Sequence, residues 1–228
     1  LRDSVVSRAK ELNYLPRSFR SSVANVNISI TPSGNQAAIL IPKGSTFTTR
    51  IGSNTYSFST DQNITMDYSN GVFYSNNVLL YEGPYVYDTF VMNYSNTDAR
   101  YVLSNPNIDI SSLTVSILED NGQSILNYQQ KTTLLGLQAN SYVYFLQACE
   151  NNQYELIFGD DNSGRKPKDG STIIAEYRVS SGELPNGANV FVSDGSIDGQ
   201  SNISITVNSS ASGGAINESV NSIKYYAP

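Results

Sequence analysis

Histidine and tryptophan are both missing from the 228-residue sequence, and there is a single cysteine. Without histidine there can be no Ser-His or Cys-His nucleophile pair, no histidine general base and almost no kind of zinc site. One cysteine excludes an internal disulfide. Cys149 follows an apolar run, so we expect a buried hydrophobic residue in a compartment that is reducing or where disulfides are not needed.

Charged residues are also scarce, at 15% of the chain, with 14 basic residues and a net charge of −6. The basic residues form no cluster, which argues against a nucleic-acid partner. No apolar run approaches the roughly 18 residues that would predict a membrane span. The first residues are polar and amphipathic, unlike a signal peptide. They carry no initiator Met and begin within a helical pattern, so we expect a fragment of a longer protein.

Turn-forming residues and tyrosine fill much of the sequence, with 16 glycines and 16 tyrosines. Short alternating runs such as Val26, Ile28 and Ile30 predict β-strands. The stretch 154–179 contains two such runs around a loop rich in Gly, Asp, Asn and Pro, which predicts a long strand-loop-strand hairpin. The residues 131–137 fit either a short helix or a loop.

The loop of that stretch reads FGDDNSGRKPKDG, and the strand after it ends in Tyr177-Arg178. This sequence resembles the signature of the baseplate J-like family, which builds the baseplates of contractile phage tails and related injection machines. The chain departs from the family pattern at Asp161, where the family usually has glycine. The matching positions, to which the resemblance assigns a structural role, are Phe158, Gly159, Asp160, Gly164, Pro167, Gly170 and Tyr177, with Pro42 and Gly44 in an earlier segment.

Five other segments resemble the family in the same order along the chain. They are RAKELNYLPRS, IPKGSTF with the hairpin after it, an "EG" at Glu82-Gly83, NPNID with SSL, and GGAINES near the end. The resemblance implies a mainly β fold, α+β at its edges, in which a second β-domain is inserted into the first and short helices flank both. We expect a helical segment at 1–24, a discontinuous first β-domain at 25–95 and 186–210, an inserted β-domain at 96–185, and a linker and closing helix at 211–228.

Helices are predicted near both ends of the chain. Asp3 or Ser4 would cap the first, which Pro16 would end, and Ser18 would cap a further short helix through Val23. Asn217 would cap the closing helix, stopped by Pro228. Because a lone β-domain does not need such helices, we predict that they contact partner chains through Val5, Ala9, Leu12, Val220, Ile223 and Tyr226.

The sequence contains only weak catalytic or metal-binding patterns. Asp160, Asn162 and Gly164 resemble the start of a calcium loop, but the later ligand positions are wrong for an EF-hand. Ser163 and Lys166 match S-x-x-K without its partner motifs. Carboxylate pairs for glycoside hydrolysis among Glu119, Asp120, Asp160 and Asp161 stay open, with solvated loop carboxylates as the simpler interpretation. We therefore expect no enzyme, no metal and no cofactor.

Several tyrosines lie close together in the sequence, at Tyr74, Tyr81, Tyr85, Tyr87 and Tyr94. Tyrosine is common both in β-sheet cores and at interfaces, so core packing, a subunit contact and a sugar-stacking platform are all compatible with this pattern. A carbohydrate-binding or receptor-binding β-module of a phage tail is therefore the alternative function.

The family resemblance implies a structural role in the virion. It is strongest to the central part of inner-ring baseplate wedge subunits of T-even-type phages. Proteins of that kind self-associate, as a homodimer or through ring contacts, and bind other baseplate wedge proteins in a ring around the hub that rearranges when the sheath contracts. The expected location is the tail baseplate, after assembly in the host cytoplasm.

Overall fold

A computed structural model describes residues 2–12 and 14–227 of the chain. The chain divides into two compact units, each made mainly of β-strands. The first unit takes the residues up to Ser18, Val86–Tyr177 and the residues from Asn217 onward. The second takes Phe19–Tyr85 and Arg178–Ile216. The domain bounds predicted above stay a prediction.

The helices and strands follow one another in this order: α1 Arg2–Glu11, β1 Val23–Ile30, β2 Leu40–Ile41, β3 Thr46–Ile51, β4 Asn54–Ser59, β5 Ile64–Thr65, β6 Asp67–Ser69, β7 Val72–Glu82, β8 Tyr85–Val91, β9 Tyr101–Val102, β10 Ile108–Glu119, β11 Ser124–Gln130, β12 Val143–Ala148, β13 Tyr154–Phe158, β14 Thr172–Val179, β15 Val192–Ser193, β16 Ile203–Ser212 and α2 Val220–Tyr226. Among the described residues, no helix is long and apolar enough to cross a membrane.

The second unit is built on a sheet with strand order β15-β3-β4-β7-β1-β16, with β6 also paired to β7. Every second residue of β1 is buried, and Val26, Ile28 and Ile30 point into the core as their alternation predicts. Phe47 and Phe58, opposite each other on β3 and β4, are part of the same core. The predicted β3–β4 hairpin is confirmed.

The first unit contains a seven-stranded sheet with strand order β8-β14-β10-β11-β12-β13-β9. Side chains bring its two edge strands together. The Asp88 carboxylate of β8 accepts hydrogen bonds from the backbone and hydroxyl of Ser104, just after β9. The rings of Phe90 and Tyr101 meet edge to face. The sheet is therefore nearly closed on itself.

The predicted hairpin over 154–179 is wrong. β13 pairs with β12 and β9, whereas β14 pairs with β8 and β10, so three strands separate the two. The flanking runs are strands, as predicted, but the loop joining them is long enough to cross the end of the sheet. Alternation identifies a strand without identifying its neighbour.

Several helix predictions also need correction. The segment directly after Ser18, predicted to be a short helix through Val23, is not helical, and β1 begins at Val23. Asp3 and Ser4 lie within α1, which ends before Pro16 is reached. Ser219, and not Asn217, caps α2, by accepting a hydrogen bond from the backbone of Ser222. The stop predicted at Pro228 lies outside the described residues.

Candidate functional site

The signature loop, Gly159–Ser171, joins β13 to β14 in the first unit. Its first turn is held by Asp160, whose carboxylate accepts hydrogen bonds from the backbone N–H groups of Asn162 and Ser163, at 3.1 and 2.9 Å. These bonds lower the pKa of Asp160. Asp160 therefore acts as a turn residue, which agrees with the simpler interpretation of its sequence pattern.

Two glycines of the loop lie against each other. A side chain on Gly159 would collide with the backbone of Gly164, and one on Gly164 would collide with Val143. Gly164 also has a φ of +95°, which favours glycine. Its N–H donates to the carbonyl of Gln138 over 3.2 Å. This chain therefore needs glycine at both positions for a steric reason.

Basic residues of the loop bind the end of β10. Arg165 pairs with the buried carboxylate of Glu119 at 2.8 Å, and Lys168 pairs with Glu119 at 3.3 Å and with Asp120 at 3.0 Å. Burial disfavours the ionised form of Glu119, but the donors of Arg165 and Lys168 outweigh it and hold the pKa of Glu119 below its ordinary value. The loop and β10 are thus joined by a charged contact in which Glu119 is buried, whereas the side chains of Lys168 and Asp120 are about half exposed.

Further bonds attach the loop to the segment after β8. Gly170 donates its N–H to the carbonyl of Met92, and Met92 donates its own to Ser171, both over 2.8 Å. The Tyr94 hydroxyl donates to the carbonyl of Pro167 over 2.8 Å, and the ammonium of Lys166 lies 3.8 Å from the centre of the Tyr94 ring. The loop therefore fastens the ends of several strands to one another.

The carboxylates considered for catalysis are all used in this network. Glu119 and Asp120 bind the basic side chains, Asp160 holds the first turn, and Asp161 accepts the backbone N–H of Lys166 over 2.8 Å. The described residues contain no group of three or more acidic, Cys or His side chains able to hold a metal. Each of these carboxylates therefore holds a turn or a strand end through hydrogen bonds or ion pairs.

Tyr177 and Arg178 stand where the chain passes from one unit to the other. In the first unit, the Tyr177 hydroxyl donates to the Asp88 carboxylate over 2.6 Å and lies near Ser104. Burial and this hydrogen bond raise the pKa of Tyr177 to about 12. The tyrosine therefore anchors β14 to the strand beside it.

In the second unit, Arg178 is buried, with 1% of its surface exposed. Its guanidinium donates to the Ser59 hydroxyl over 2.6 Å and to the carbonyls of Ser59, Thr60 and Gly83 at 2.9 to 3.3 Å. It also lies 4.1 Å from the centre of the Tyr85 ring. The planar guanidinium carries several N–H donors and can bond to several carbonyls at once. Arg178 therefore holds the end of β14 inside the second unit.

A turn of the second unit contains the earlier family positions Pro42 and Gly44. The Pro42 carbonyl accepts the hydroxyls of Ser45 and Thr60, both over 2.8 Å. Gly44 has a φ of +83° and donates its N–H to Thr60 over 2.9 Å. The two residues close this turn and have no exposed reactive group.

Glu218 joins the two chain ends in the first unit, with none of its side chain exposed. Its carboxylate accepts hydrogen bonds from the Tyr14 hydroxyl at 3.0 Å, the backbone of Arg17 at 3.1 Å and the Ser222 hydroxyl. Arg2 donates to its backbone carbonyl. Burial works against the ionised carboxylate, but the bonds from Ser222, Arg17 and Tyr14 outweigh it and lower the pKa of Glu218.

The predicted partner-contact residues divide into three groups by their burial. Ala9 and Ile223 are buried inside the first unit, where α1 packs against α2. Val5 and Val220 are half-buried. Leu12 and Tyr226 are exposed, together with Tyr225, which is 81% exposed and stacks edge to face on Tyr226. Packing within the chain accounts for the buried pair, and partner contact by the helices stays a prediction.

A groove of about 830 Å³ with both polar and apolar lining lies on the first unit. It is lined by Phe145 and Ile157 from the sheet and by Leu134 and Leu135 from the loop before β12. Leu135 is 88% exposed. The segment 131–137, for which the sequence allowed a helix or a loop, has no regular secondary structure and presents these two leucines to solvent.

The five neighbouring tyrosines have different surroundings. Tyr81 and Tyr85 face Arg178, whereas Tyr94 belongs to the signature-loop network. Tyr74 is half-buried, and Tyr87 is exposed but bonded to Glu176. Tyr74, Tyr81 and Tyr85 belong to the second unit, whereas Tyr87 and Tyr94 belong to the first. The sugar-stacking platform stays a prediction.

Comparison with known proteins gives a distant relative of this chain. No protein-family model matches the chain. The chain is 23% identical over 206 residues to the baseplate wedge protein gp6 of Enterobacteria phage T4. The match covers 82% of this chain but 30% of the relative, so the chain spans less than a third of that protein's length. The chain is thus distantly similar to a baseplate wedge protein.

The sequence predicted no structural role for Arg178, Glu119 or Glu218. A usable signal was present, because charged residues are rare in this chain and Arg178 lies within an apolar strand. A charge in such a run indicates a buried polar network. Nothing in the sequence shows which groups meet it.

Proposed function

We propose that this chain is a structural part of a phage tail baseplate wedge. In this proposal it self-associates and binds other wedge proteins, in the ring around the hub that rearranges on sheath contraction. The observation that carries the proposal is the similarity to a baseplate wedge protein over 82% of the chain. The proposed location is the virion tail, following assembly in the host cytoplasm.

The internal networks support a mechanical role. The signature loop bonds to the ends of neighbouring strands, and Glu218 bonds to residues near both ends of the chain. Arg178 bonds the end of β14 to the second unit. Each places charged or polar groups where replacing one partner leaves another unsatisfied. Such units resist local opening, as a part that transmits force must.

In this proposal, partner chains contact the helical face, which is the set of residues predicted above on and beside the two helices: Val5, Ala9, Leu12, Val220, Ile223 and Tyr226. Leu12 and Tyr226 are its exposed members. Burying their apolar surface against a partner chain would be favourable, because it removes that surface from water. A charge at Ile223, in contrast, would disrupt packing inside the unit, because that residue is buried. Tyr226 therefore replaces Ile223 as the position to test.

The test is sedimentation equilibrium of the chain over a wide concentration range. We expect a reversible dimer or larger species, and weaker association in the variant Leu12→Asp/Tyr226→Asp. The matched control is Leu184→Asp/Val190→Asp, which charges two exposed apolar residues of the second unit. Circular dichroism checks that both variants keep their β-structure. Equal association in all three proteins would exclude this face as the contact.

A further inference from the structure

One side of β16 has no neighbouring strand. From Ile203 to Val207 the strand pairs regularly with β1, opposite Ile30 to Val26. It ends the strand order of its sheet, and in the part of the chain that the structure describes no strand pairs with its other side. The backbone N–H of Ile203 already donates to the carbonyl of Ser201 over 3.1 Å. The other outward N–H and C=O groups from Ile203 to Val207 can bind an extended segment.

The side chains on the core face of β16 are less covered than those of β1. Along β1, Val26, Ile28 and Ile30 are at most 1% exposed. Their cross-strand partners Val207, Ile205 and Ile203 point to the same core, since opposite residues share a face, but they are only partly buried. One more strand beyond β16 would complete their burial.

The usual protection of an exposed edge is absent here. Natural edge strands commonly carry lysine, proline or another charge that blocks pairing. β16 has none of these from Ile203 to Ser212. The open stretch ends at Asn208, where the pairing with β1 shifts register and the side chain bonds instead to Asn25 and Asn27. Beyond it, Ala211 is already bonded to Gly187 and Ala188.

We propose that this edge pairs with β16 of a second copy of the chain. Two copies related by a two-fold axis must pair antiparallel, as an isologous contact does. Centred on Ile205, such pairing sets Ile203 of one copy opposite Val207 of the other, and Ser204 opposite Thr206. Apolar side chains then meet on the core face and small hydroxyls meet on the solvent face, with no charge repulsion.

This inference deepens the proposed function by naming one contact between two copies of the chain. Only the use of that contact in a baseplate rests on the proposed function. The paired stretch is short, so the association is weak and reversible, and multiple contacts in a ring would strengthen it. Self-pairing at this edge is independent of the helical face.

Charge placement tests both the edge and the register. Ser204 and Thr206 are exposed, so charges there leave the core untouched. In Ser204→Glu/Thr206→Glu, like charges face each other in both cross-strand pairs, and we expect the association constant to fall roughly fivefold or more. In Ser204→Glu/Thr206→Lys, opposite charges face each other only if the strands are antiparallel about Ile205, and association should strengthen.

The measurement is sedimentation equilibrium up to millimolar concentration, with hydrogen exchange of the 203–207 amides as a second readout. The control is Ser53→Glu/Thr55→Glu, which adds the same charge to exposed positions at the β3–β4 hairpin. Slower exchange at high concentration and the opposite responses of the two edge variants support the proposal. A strict monomer, or a dimer that both edge variants leave unchanged or both weaken, overturns it. A dimer sensitive only to Leu12 and Tyr226 would overturn the edge contact while leaving the proposed function standing.

Discussion

Asp161 accepts a hydrogen bond from the backbone N–H of Lys166 over 2.8 Å, while its own backbone has a φ of +67°. That left-handed conformation is the reason glycine fits this position in the family pattern. Aspartate is among the residues that tolerate it, and its carboxylate adds a bond that glycine cannot make. The departure of this chain from the pattern is thus compatible with the same turn.

Replacing Asp161 with valine should destabilise the first unit by about 2 kcal/mol, because a β-branched residue disfavours this φ and the bond to Lys166 is lost. Asp161→Gly loses the bond but not the conformation, and should cost less than about 1 kcal/mol. Urea unfolding of both variants measures the difference. Equal losses would show that φ is not the constraint.

Gly159→Ala should be among the most damaging single changes in the signature loop. The added methyl group would meet the backbone of Gly164, which cannot move aside without breaking its own bonds. We expect a loss of about 2 to 3 kcal/mol in unfolding free energy. Gly34→Ala is the control, since nothing lies near its added methyl group and it should be neutral. Similar melting temperatures for the two variants would contradict this packing.

Arg178→Lys should destabilise the second unit although the charge is kept. A lysine ammonium has three donors on a flexible stem and cannot satisfy the hydroxyl and carbonyls that the guanidinium meets. The expected loss is about 3 kcal/mol. Arg50→Lys, at an exposed position of β3, should have almost no effect in the same denaturation experiment. A loss at Arg178 no larger than at Arg50 would mean that the fork geometry is unimportant.

Glu218→Gln should remove both stability and its pH dependence. The folded pKa of Glu218 lies below its ordinary value, so its contribution is present above about pH 4.3 and is lost as the pH falls through the folded pKa. We expect the variant to lose about 1 to 3 kcal/mol at pH 7 and less than that at pH 3. Glu11→Gln, at an exposed position of α1, is the control. A constant loss at both pH values would contradict the sign of this linkage.

Periodicity in the sequence was sufficient to identify elements whose two faces differ. β1 and the β3–β4 hairpin follow directly from alternation and turn residues. β11 was not predicted, because Asn127, Gln129 and Gln130 interrupt its alternation and only Tyr128 is fully buried. The wrong hairpin between β13 and β14 has another cause, since strand pairing is decided by contacts distant in sequence.

The candidate site could be predicted only in part. Glycine and turn residues marked the signature loop, because their backbone requirements are local. The partners of Glu218 are far away in the sequence, and so are those of Arg178. The helical face was identified from spacing alone, which does not distinguish a face packed within the unit from one left in solvent. Ile223 is packed within the unit, whereas Tyr226 is exposed to solvent.

The most direct test of the central proposal is to locate the chain in virions of the phage to which the proposal assigns it. Antibody raised against residues 14–227, with gold labelling in electron microscopy, would be applied to purified virions whose chain content is checked by mass spectrometry. A structural baseplate subunit predicts peptides from this chain in the virion and gold at the tail end distal to the head. Absence from purified virions, or label confined to another part of the particle, would contradict the account.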